Sequence, residues 1–307
     1  MKENYKSWGI DIKVFPHGGD IEERLRFLVG FAILAPSGHN SQPWEFSIKD
    51  NTILVWASKE RSLEKSDPIG RQLLISIGCA LENLLIAADY YGFRAEAHYL
   101  PDAKKENLVA TVSFQEGKNI KNDQNHLIFF IPKRSTNRNK YNDQLPPADF
   151  LNEIESLSNN DLKISIVSES ASKALVADVV NTAQIEVMEE ESFREELSHY
   201  IKSNLTKSKT GMPGFTLGMP LPISLIASRL IKRMNMSKKT IKKDDELLKK
   251  FTPTFLIIST GADDKLSWIK AGQLLERLWL MAVRRGLVGA PLAAGVQVGE
   301  YYKEIQN

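Results

Sequence analysis

The sequence has little cysteine and almost no excess of charge. Cys79 is the single cysteine among 307 residues, which excludes an intramolecular disulfide framework and a thiolate-rich metal site and fits a reducing compartment. Forty Lys and Arg residues face 38 Asp and Glu residues, so the formal net charge is only +2. Such a chain has no global field that would gather nucleic acid or an anionic membrane. We therefore expect a cytoplasmic protein whose partner is a small molecule.

Long uninterrupted apolar runs and metal-ligand motifs are also lacking. Every long apolar run contains Glu, Lys, Arg or Pro, and the N-terminus has no basic segment followed by an apolar core. We expect neither a signal peptide nor a membrane span. The five histidines are scattered, so no metal site is expected. Hydrophobic residues nevertheless make up 42% of the chain, enough to bury a large core.

Capping residues and apolar spacing predict the secondary structure. Asp20 and Glu23 have the spacing of a capping box, so a helix should begin there, and it must stop at Pro36. Alternating apolar residues predict a hairpin over 42–56. The same criteria predict further strands over 108–114, 163–167 and 254–260. Further helices are predicted from Asp67-Pro68 to Gly92, after Pro146-Pro147, from about 170 to 203, and over 264–285 with Gly286 as C-cap. The segment 125–141 is ambiguous between strand and helix. The expected class is α+β, with helices flanking a mixed or antiparallel sheet.

An internal repeat indicates how the chain is organised. Residues 77–93 align with residues 271–287 so that Gly78 meets Gly272 and Glu82 meets Glu276, an offset of 272 − 78 = 194. The apolar seams of the two segments fall in the same register. Two copies of one helix predict a pseudo-two-fold molecule with these helices at its centre. Any two amphipathic helices can share a seam, so that alternative stays open.

Three irregular segments carry the chemistry. The first, "APSGHNSQPWEF" (35–46), offers amide and hydroxyl groups suited to the edge of a heteroaromatic ring, or is a simple loop after a helix. The second, "PKRSTNR" (132–138), gathers cations and hydroxyls that suit a terminal phosphate, or is a solvated basic turn. The third, "RRGLVGAPLAAG" (284–295), follows the second copy of the repeat.

These segments resemble signatures of the nitroreductase family of FMN-dependent oxidoreductases. "APSGHNSQPW" is similar to the family's flavin-binding loop, "KRSTNR" to its basic phosphate segment, and "AGQLLERLWLMAVRRGLVGAP" to its central helix with the loop that follows. "TNR" and "GMPG" resemble the single-chain, pseudo-dimeric branch that includes the Acg-like proteins. In ordinary members two subunits share each flavin, whereas in this branch one chain carries both halves.

The resemblance implies a nitroreductase-like fold with an N-terminal half at 1–120 and a C-terminal half at 121–307. The assembly would be a monomer with a pseudo-dimeric fold, or a loose homodimer. FMN would be the cofactor and NAD(P)H a transient co-substrate, and no catalytic side chain is demanded because the flavin carries the chemistry. The implied FMN contacts are Pro36, Ser37, Asn40, Gln42, Arg134, Ser135, Thr136, Arg138, Ala290, Pro291 and Leu292.

The sequence departs from the family pattern at two places. Ser135 and Arg138 are one residue further apart than is typical, so the phosphate contact could fall on Thr136 instead. The family usually continues into a strand with an Arg-containing segment, whereas this chain stops at "EIQN". We expect either a truncated chain or the loss of one cationic phosphate contact.

The segment 210–222, "TGMPGFTLGMPLP", has too many Gly and Pro residues for regular structure and too many apolar residues for a solvated linker. We interpret it as part of a lid at about 207–226 that could cover the flavin. A working lid fits an oxidoreductase that reduces a nitroaromatic or quinone, and a closed lid fits a protein that sequesters FMN without turnover. A plain helical interaction protein is the third hypothesis.

The basic run 231–250 is predicted as a solvated helical face, or else as a binding site for a pyridine-nucleotide phosphate.

Overall fold

The computed structural model describes residues 3–117, 123–235 and 237–306. It combines helices with antiparallel sheets, which is the expected α+β class. The α-helices are α1 (Ile21–Ala32), α2 (Arg71–Tyr90), α3 (Ala148–Glu155), α4 (Ser170–Glu189), α5 (Glu191–Tyr200), α6 (Leu221–Arg233), α7 (Ser237–Lys250), α8 (Lys265–Arg284), α9 (Ala294–Gln297) and α10 (Tyr301–Gln306). The strands are β1 (Trp44–Lys49), β2 (Thr52–Ala57), β3 (Phe93–Tyr99), β4 (Leu108–Glu116), β5 (Leu162–Val167), β6 (Ile201–Lys202), β7 (Met212–Pro213) and β8 (Phe255–Thr260).

The chain divides into two compact units made of discontinuous segments. Unit 1 consists of Met1–Ser62, Gly70–Arg134 and Ala262–Gly286, and unit 2 of Leu63–Ile69, Ser135–Gly261 and Leu287–Asn307. Unit 1 therefore contains both copies of the repeated helix, α2 and α8. The two nitroreductase-like halves expected at 1–120 and 121–307 stay a prediction.

Unit 1 is built on a four-stranded antiparallel sheet in the order β1-β2-β4-β3. The predicted hairpin pairs Trp44 with Ala57 and turns at Asp50, whose φ of 54° is left-handed. Ile53 and Val55 are fully buried, as are Ala110 and Val112 on β4. This alternation gives the sheet one apolar face, and burying that face is the main source of its stability.

Helices α2 and α8 cross at two glycines in the centre of unit 1. A methyl group added at Gly78 would collide with the backbone carbonyl oxygen of Ile269, and one added at Gly272 would collide with that of Ile75. The two contacts are exchanged by the repeat, because Ile75 and Ile269 are 194 residues apart, as are Gly78 and Gly272. The helix pair is thus packed in the self-complementary way that a two-fold axis requires. Glycine is needed at both positions because the backbones touch.

Among the described residues, α2 is the one helix long and apolar enough to cross a membrane, with a mean hydropathy of 1.5. However, 72% of its apolar window is buried inside the protein. It packs along α8 and against α1. Within unit 1 it therefore has the position of a core helix.

Unit 2 is mostly helical around two short pairs of strands. Strands β5 and β8 pair antiparallel, and β6 pairs parallel with β7 over two residues. Ala177 and Val180 of α4 pack with Leu248 of α7 and Phe255 of β8 in an apolar cluster. Helix α5 packs against α6.

Several predicted boundaries were wrong, and each difference has a physical reason. Helix α2 begins at Arg71 rather than at Asp67-Pro68, because Gly70 directly before it has a left-handed φ of 75° that interrupts the helical path. The long helix predicted from 170 to 203 is two helices separated at Glu190, whose backbone is extended. Strand β3 was not predicted, because Ala95 and Ala97 give its inward face only a weak apolar signal.

The ambiguous segment 125–141 is neither a strand nor an α-helix. Residues Leu127–Lys133 form a 3₁₀ helix with Pro132 inside it, and the backbone of Arg134 after it is extended. Leu127, Ile128 and Ile131 are buried, so one apolar face explains the helical part of the pattern.

Candidate functional site

The loop after α1 is held in an uncommon backbone conformation. His39, Asn40 and Gln42 all have positive φ, at 50°, 53° and 52°. Non-glycine residues in this region cost roughly 1–3 kcal/mol each and persist only where the surroundings impose them. Ser37 contributes by accepting the backbone N–H of Gln42 at 2.9 Å. Three such residues in four positions mark this predicted flavin loop as a strained, tightly held segment.

Arg134 lies in the interior of unit 1. Its side chain is 5% exposed, and its Nη2 donates to the carbonyl oxygen of Leu34 at 3.0 Å. Its Nε lies 3.4 Å from Oε1 of Glu276, and its guanidinium stands 4.7 Å from the ring centre of Trp279. Arg134 therefore ties the chain directly after α1 to helix α8. The contact of Arg134 with the FMN phosphate stays a prediction. In the structure, Arg134 has the additional role of linking Leu34 to Glu276.

Glu276 is the centre of a buried polar cluster that also contains Glu82, Asn83, Arg134 and Trp279. Burial raises the pKa of Glu276 to about 7, with the charge of Arg134 opposing the rise. Burial also raises the pKa of Glu82, which Arg277 offsets through an ion pair of 2.6 Å. Both carboxylate oxygens of Glu276 and Oδ1 of Asn83 lack a hydrogen-bond partner among the described residues, as do Nε of Arg134 and Nε1 of Trp279.

The sequence contained a signal for this cluster that was not used. Glu82 and Glu276 occupy equivalent places in the repeat, each within an apolar seam. Acidic residues are almost never fully buried unless they are paired. Two acids at matching core positions therefore indicate a buried polar group at the helix crossing, and not only a repeat.

In unit 2 the basic turn runs beside the segment that follows α8. Thr136 forms a parallel bridge with Gly289, and the N–H of Asn137 donates to the carbonyl oxygen of Gly289 at 3.0 Å. The predicted contacts Ala290, Pro291 and Leu292 come directly after this bridge, and Pro291 and Leu292 are exposed. Ser135 and Arg138 are exposed on the turn. The structure thus joins two of the three predicted segments.

The predicted lid is ordered by side-chain contacts within unit 2. The side chain of Asn204 donates to the carbonyl oxygen of Met219 at 3.0 Å and accepts from the N–H of Phe215 at 2.6 Å. Arg138 donates to the carbonyl oxygen of Thr216 at 3.4 Å. The segment contains β7, a 3₁₀ helix at Gly214–Leu217, and the first residues of α6.

The predicted FMN contacts are distributed between the two units. Pro36, Ser37, Asn40, Gln42 and Arg134 belong to unit 1, and Ser135, Thr136, Arg138, Ala290, Pro291 and Leu292 belong to unit 2. Within unit 2, exposed hydroxyl and guanidinium groups beside a loop backbone are a donor set that fits the phosphate of FMN.

Cys79 has a structural role in unit 1. It is buried, and its thiol donates to the carbonyl oxygen of Gly272 at 3.2 Å, beside the helix crossing. Burial raises the pKa of the thiol well above its usual range, which suppresses the nucleophilic thiolate. Over the described ranges, no group of three or more His, Cys, Asp or Glu residues could hold a metal ion.

Comparison with known proteins identifies relatives over most of the chain. No family model matches it. Two proteins of Mycobacterium tuberculosis H37Rv share the name "Putative NAD(P)H nitroreductase". One, Rv3131, is 27% identical over 282 residues, covering 91% of this chain and 78% of the relative. The other, acg, is 22% identical over 277 residues, covering 87% of this chain and 79% of the relative.

A third relative in the same organism, "Uncharacterized protein Rv3127", is 31% identical over 118 residues, which are 37% of this chain and 34% of that protein. Over most of its length the chain is thus similar to proteins named as NAD(P)H nitroreductases, Acg among them.

Proposed function

We propose that the protein is an FMN-dependent oxidoreductase that passes hydride from NAD(P)H to a small acceptor of the nitroaromatic or quinone type. The observation that carries the proposal is the bridge between Thr136 and Gly289, which sets the basic turn beside the loop at 290–292. The names of the relatives and the strained loop at 37–42 support the same chemistry. The proposed fold is nitroreductase-like, and the proposed location is the cytoplasm.

In this proposal each segment holds a different part of the cofactor. Ser135, Thr136 and Arg138 bind the phosphate with hydroxyl and guanidinium donors, and a backbone N–H within 290–292 donates to the flavin ring. Pro36, Ser37, Asn40 and Gln42 contact the edge of the ring. FMN supplies the hydride chemistry when bound, so the residues of the chain bind and orient it and control access.

A second candidate function is the sequestration of FMN without turnover. The hydrogen bonds of the lid favour sequestration, because Asn204 and Arg138 contact backbone groups at three positions of this segment. A segment fixed in this way would exclude a nicotinamide from the flavin if it covers the ring. The two candidates share one binding site and differ in whether NAD(P)H can reach it.

Binding of FMN tests the shared part of both candidates. Arg138→Ala should weaken FMN binding about tenfold or more, because hydrogen bonds to charged groups contribute about 1.5–3 kcal/mol. Flavin fluorescence titration measures the dissociation constant, with FAD as the competing ligand. Arg94→Ala, at an exposed site on β3, is the matched control and should leave binding unchanged. Equal affinity for FAD, or an unchanged constant in the Arg138 variant, would contradict the proposed phosphate site.

Stopped-flow reduction separates the two candidates. The FMN-loaded protein is mixed with NADH or NADPH, and the flavin absorbance is followed. Rapid reduction followed by oxidation with a quinone supports the oxidoreductase. Slow reduction by both nicotinamides, with rapid reduction by dithionite, supports sequestration.

A further inference from the structure

The charge of the chain is balanced overall but is unevenly distributed. Residues 197–243 contain ten Lys and Arg residues and no Asp or Glu residue. The rest of the chain then has 30 basic against 38 acidic residues. The nearly neutral total, from which we expected no membrane partner, therefore conceals a strongly cationic segment in unit 2.

Helix α6, within this segment, presents its large apolar residues outward. Its inward residues Ser224 and Ala227 are small and buried, and the hydroxyl of Ser228 donates to the carbonyl oxygen of Ser198 on α5 at 2.8 Å. The helix packs closely on α5 through this small face. The outward side chains are large aliphatic residues that are 39–56% exposed, namely Leu221, Ile223, Leu225, Ile226 and Leu230.

These side chains lie in two rows along the exposed side of α6, which we call the α6 face. Leu221 and Leu225 are one turn apart, as are Ile226 and Leu230, so each pair stacks along the helix. Phe215, in the 3₁₀ helix that packs against α6, adds an aromatic ring that is 53% exposed. Clustered exposed apolar residues of this kind mark interaction sites, whereas single exposed ones are ordinary.

Cations are interspersed with the apolar residues of the α6 face. Arg229, Lys232 and Arg233 are exposed on the same helix, and α6 contains no acidic residue. Lys232 is paired with Glu195 of α5 at 2.5 Å. The face thus combines aliphatic side chains that can enter an acyl boundary with guanidinium groups that bind phosphate.

We propose that the α6 face docks the protein peripherally on an anionic phospholipid membrane. A second copy of the chain fits less well, because a two-fold contact would bring the same cations together. A nucleic acid fits less well because it offers no apolar surface to five exposed aliphatic side chains. An anionic lipid surface satisfies both components, since it holds acyl chains below phosphate groups.

Vesicle cosedimentation tests this proposal on the full chain. The protein should sediment with vesicles made of equal amounts of phosphatidylglycerol and phosphatidylcholine, and should stay in solution with pure phosphatidylcholine. Added salt should weaken the binding because the attraction includes screened charges. Absence of binding to the anionic vesicles would overturn the proposal.

Two double variants test the two components separately. Leu225→Gln with Ile226→Gln, and Arg229→Gln with Arg233→Gln, should each lower the vesicle partition coefficient about tenfold or more. Leu175→Gln, at a residue of α4 that is 69% exposed, is the control and should have no effect. Circular dichroism melts of every variant check that the fold is intact.

Other outcomes point to other occupants of the face. Unchanged vesicle binding in both double variants would overturn the proposal and assign the binding to another surface. A dimer that forms without lipid and dissociates in the Leu225 and Ile226 variant would assign the face to a second copy.

Discussion

The carboxyl group of Glu276 makes the stability of the fold depend on pH near neutrality. Its pKa is raised from 4.5 to about 7 by burial, so in this range the folded state binds more protons than the unfolded state. The free energy of unfolding should then fall as pH rises from about 4.5 to about 7 and be level above it. The loss amounts to about 3 kcal/mol from this group alone.

The Glu276→Gln variant isolates that contribution. Several groups face the carboxyl: Cys79, Glu82 and Asn83 from α2, Trp279 from α8, and Arg134 from the chain after the 3₁₀ helix. Guanidinium denaturation near pH 5 should give similar stabilities for the variant and the parent, whereas near pH 8 the variant should be more stable. Glu155→Gln, at an exposed residue of α3, should follow the parent at both values. Parallel pH profiles for Glu276→Gln and the parent would show that Glu276 does not titrate in this window.

At the scale of the element, the crossing of α2 and α8 is the contact with the least room for change. Gly78→Ala and Gly272→Ala each place a methyl group against a backbone carbonyl of the other helix. Backbone cannot move aside as a side chain can, so we expect each variant to lose about 1–3 kcal/mol of stability or more. The double variant should lose less than the sum, because the first change already separates the helices.

Gly30→Ala in α1 is the matched control for the crossing. Its added methyl group would meet only the end of the flexible Ile10 side chain. Ala also favours a helix over Gly, so this variant should be close to the parent in stability. Thermal melts of the parent and the four variants measure the differences. Equal melting temperatures for Gly78→Ala and Gly30→Ala would contradict the close crossing.

At the scale of the whole molecule, the lid decides between the two candidate functions. A variant in which residues 212–219 are replaced by a short Gly-Ser linker removes Phe215 and the backbone groups that Asn204 and Arg138 contact. If the protein sequesters FMN, this variant should be reduced faster by NAD(P)H and should release FMN faster. If it is an oxidoreductase, the variant should bind FMN more weakly without faster reduction.

Asn204→Ala is a smaller change at the same segment. It removes the hydrogen bonds from Asn204 to the lid and leaves every residue of the lid in place. The rates of flavin reduction and of FMN release should therefore shift in the same direction as in the linker variant, but by less. Stopped-flow absorbance and flavin fluorescence measure reduction and release. If both variants match the parent in both rates, the segment is not a lid. If the rates change, unchanged circular dichroism spectra exclude a folding defect as the cause.

The sequence by itself determined the features whose causes lie within a few residues. Asp20 and Asp264 cap their helices through their own side chains, and Gly92 and Gly286 adopt the positive φ that ends a helix. A capping carboxylate and a left-handed glycine act on neighbouring backbone groups, so their effect is visible in the chain. The repeat belongs to the same class, because equal spacing of apolar residues produces equal helix faces.

Tertiary structure decided what depends on residues far apart in the chain. In the sequence Arg134 is one more cation of a basic turn, and only folding puts its guanidinium beside Glu276 and Leu34. The amides of Lys65 and Ser66 donate to Glu196, which is more than a hundred residues away. The outward direction of the leucines on α6 depends on how closely its small residues pack on α5. Which residues are buried, and which side chains contact each other, follow from distances between atoms in space. The spacing of residues along the chain does not determine these distances.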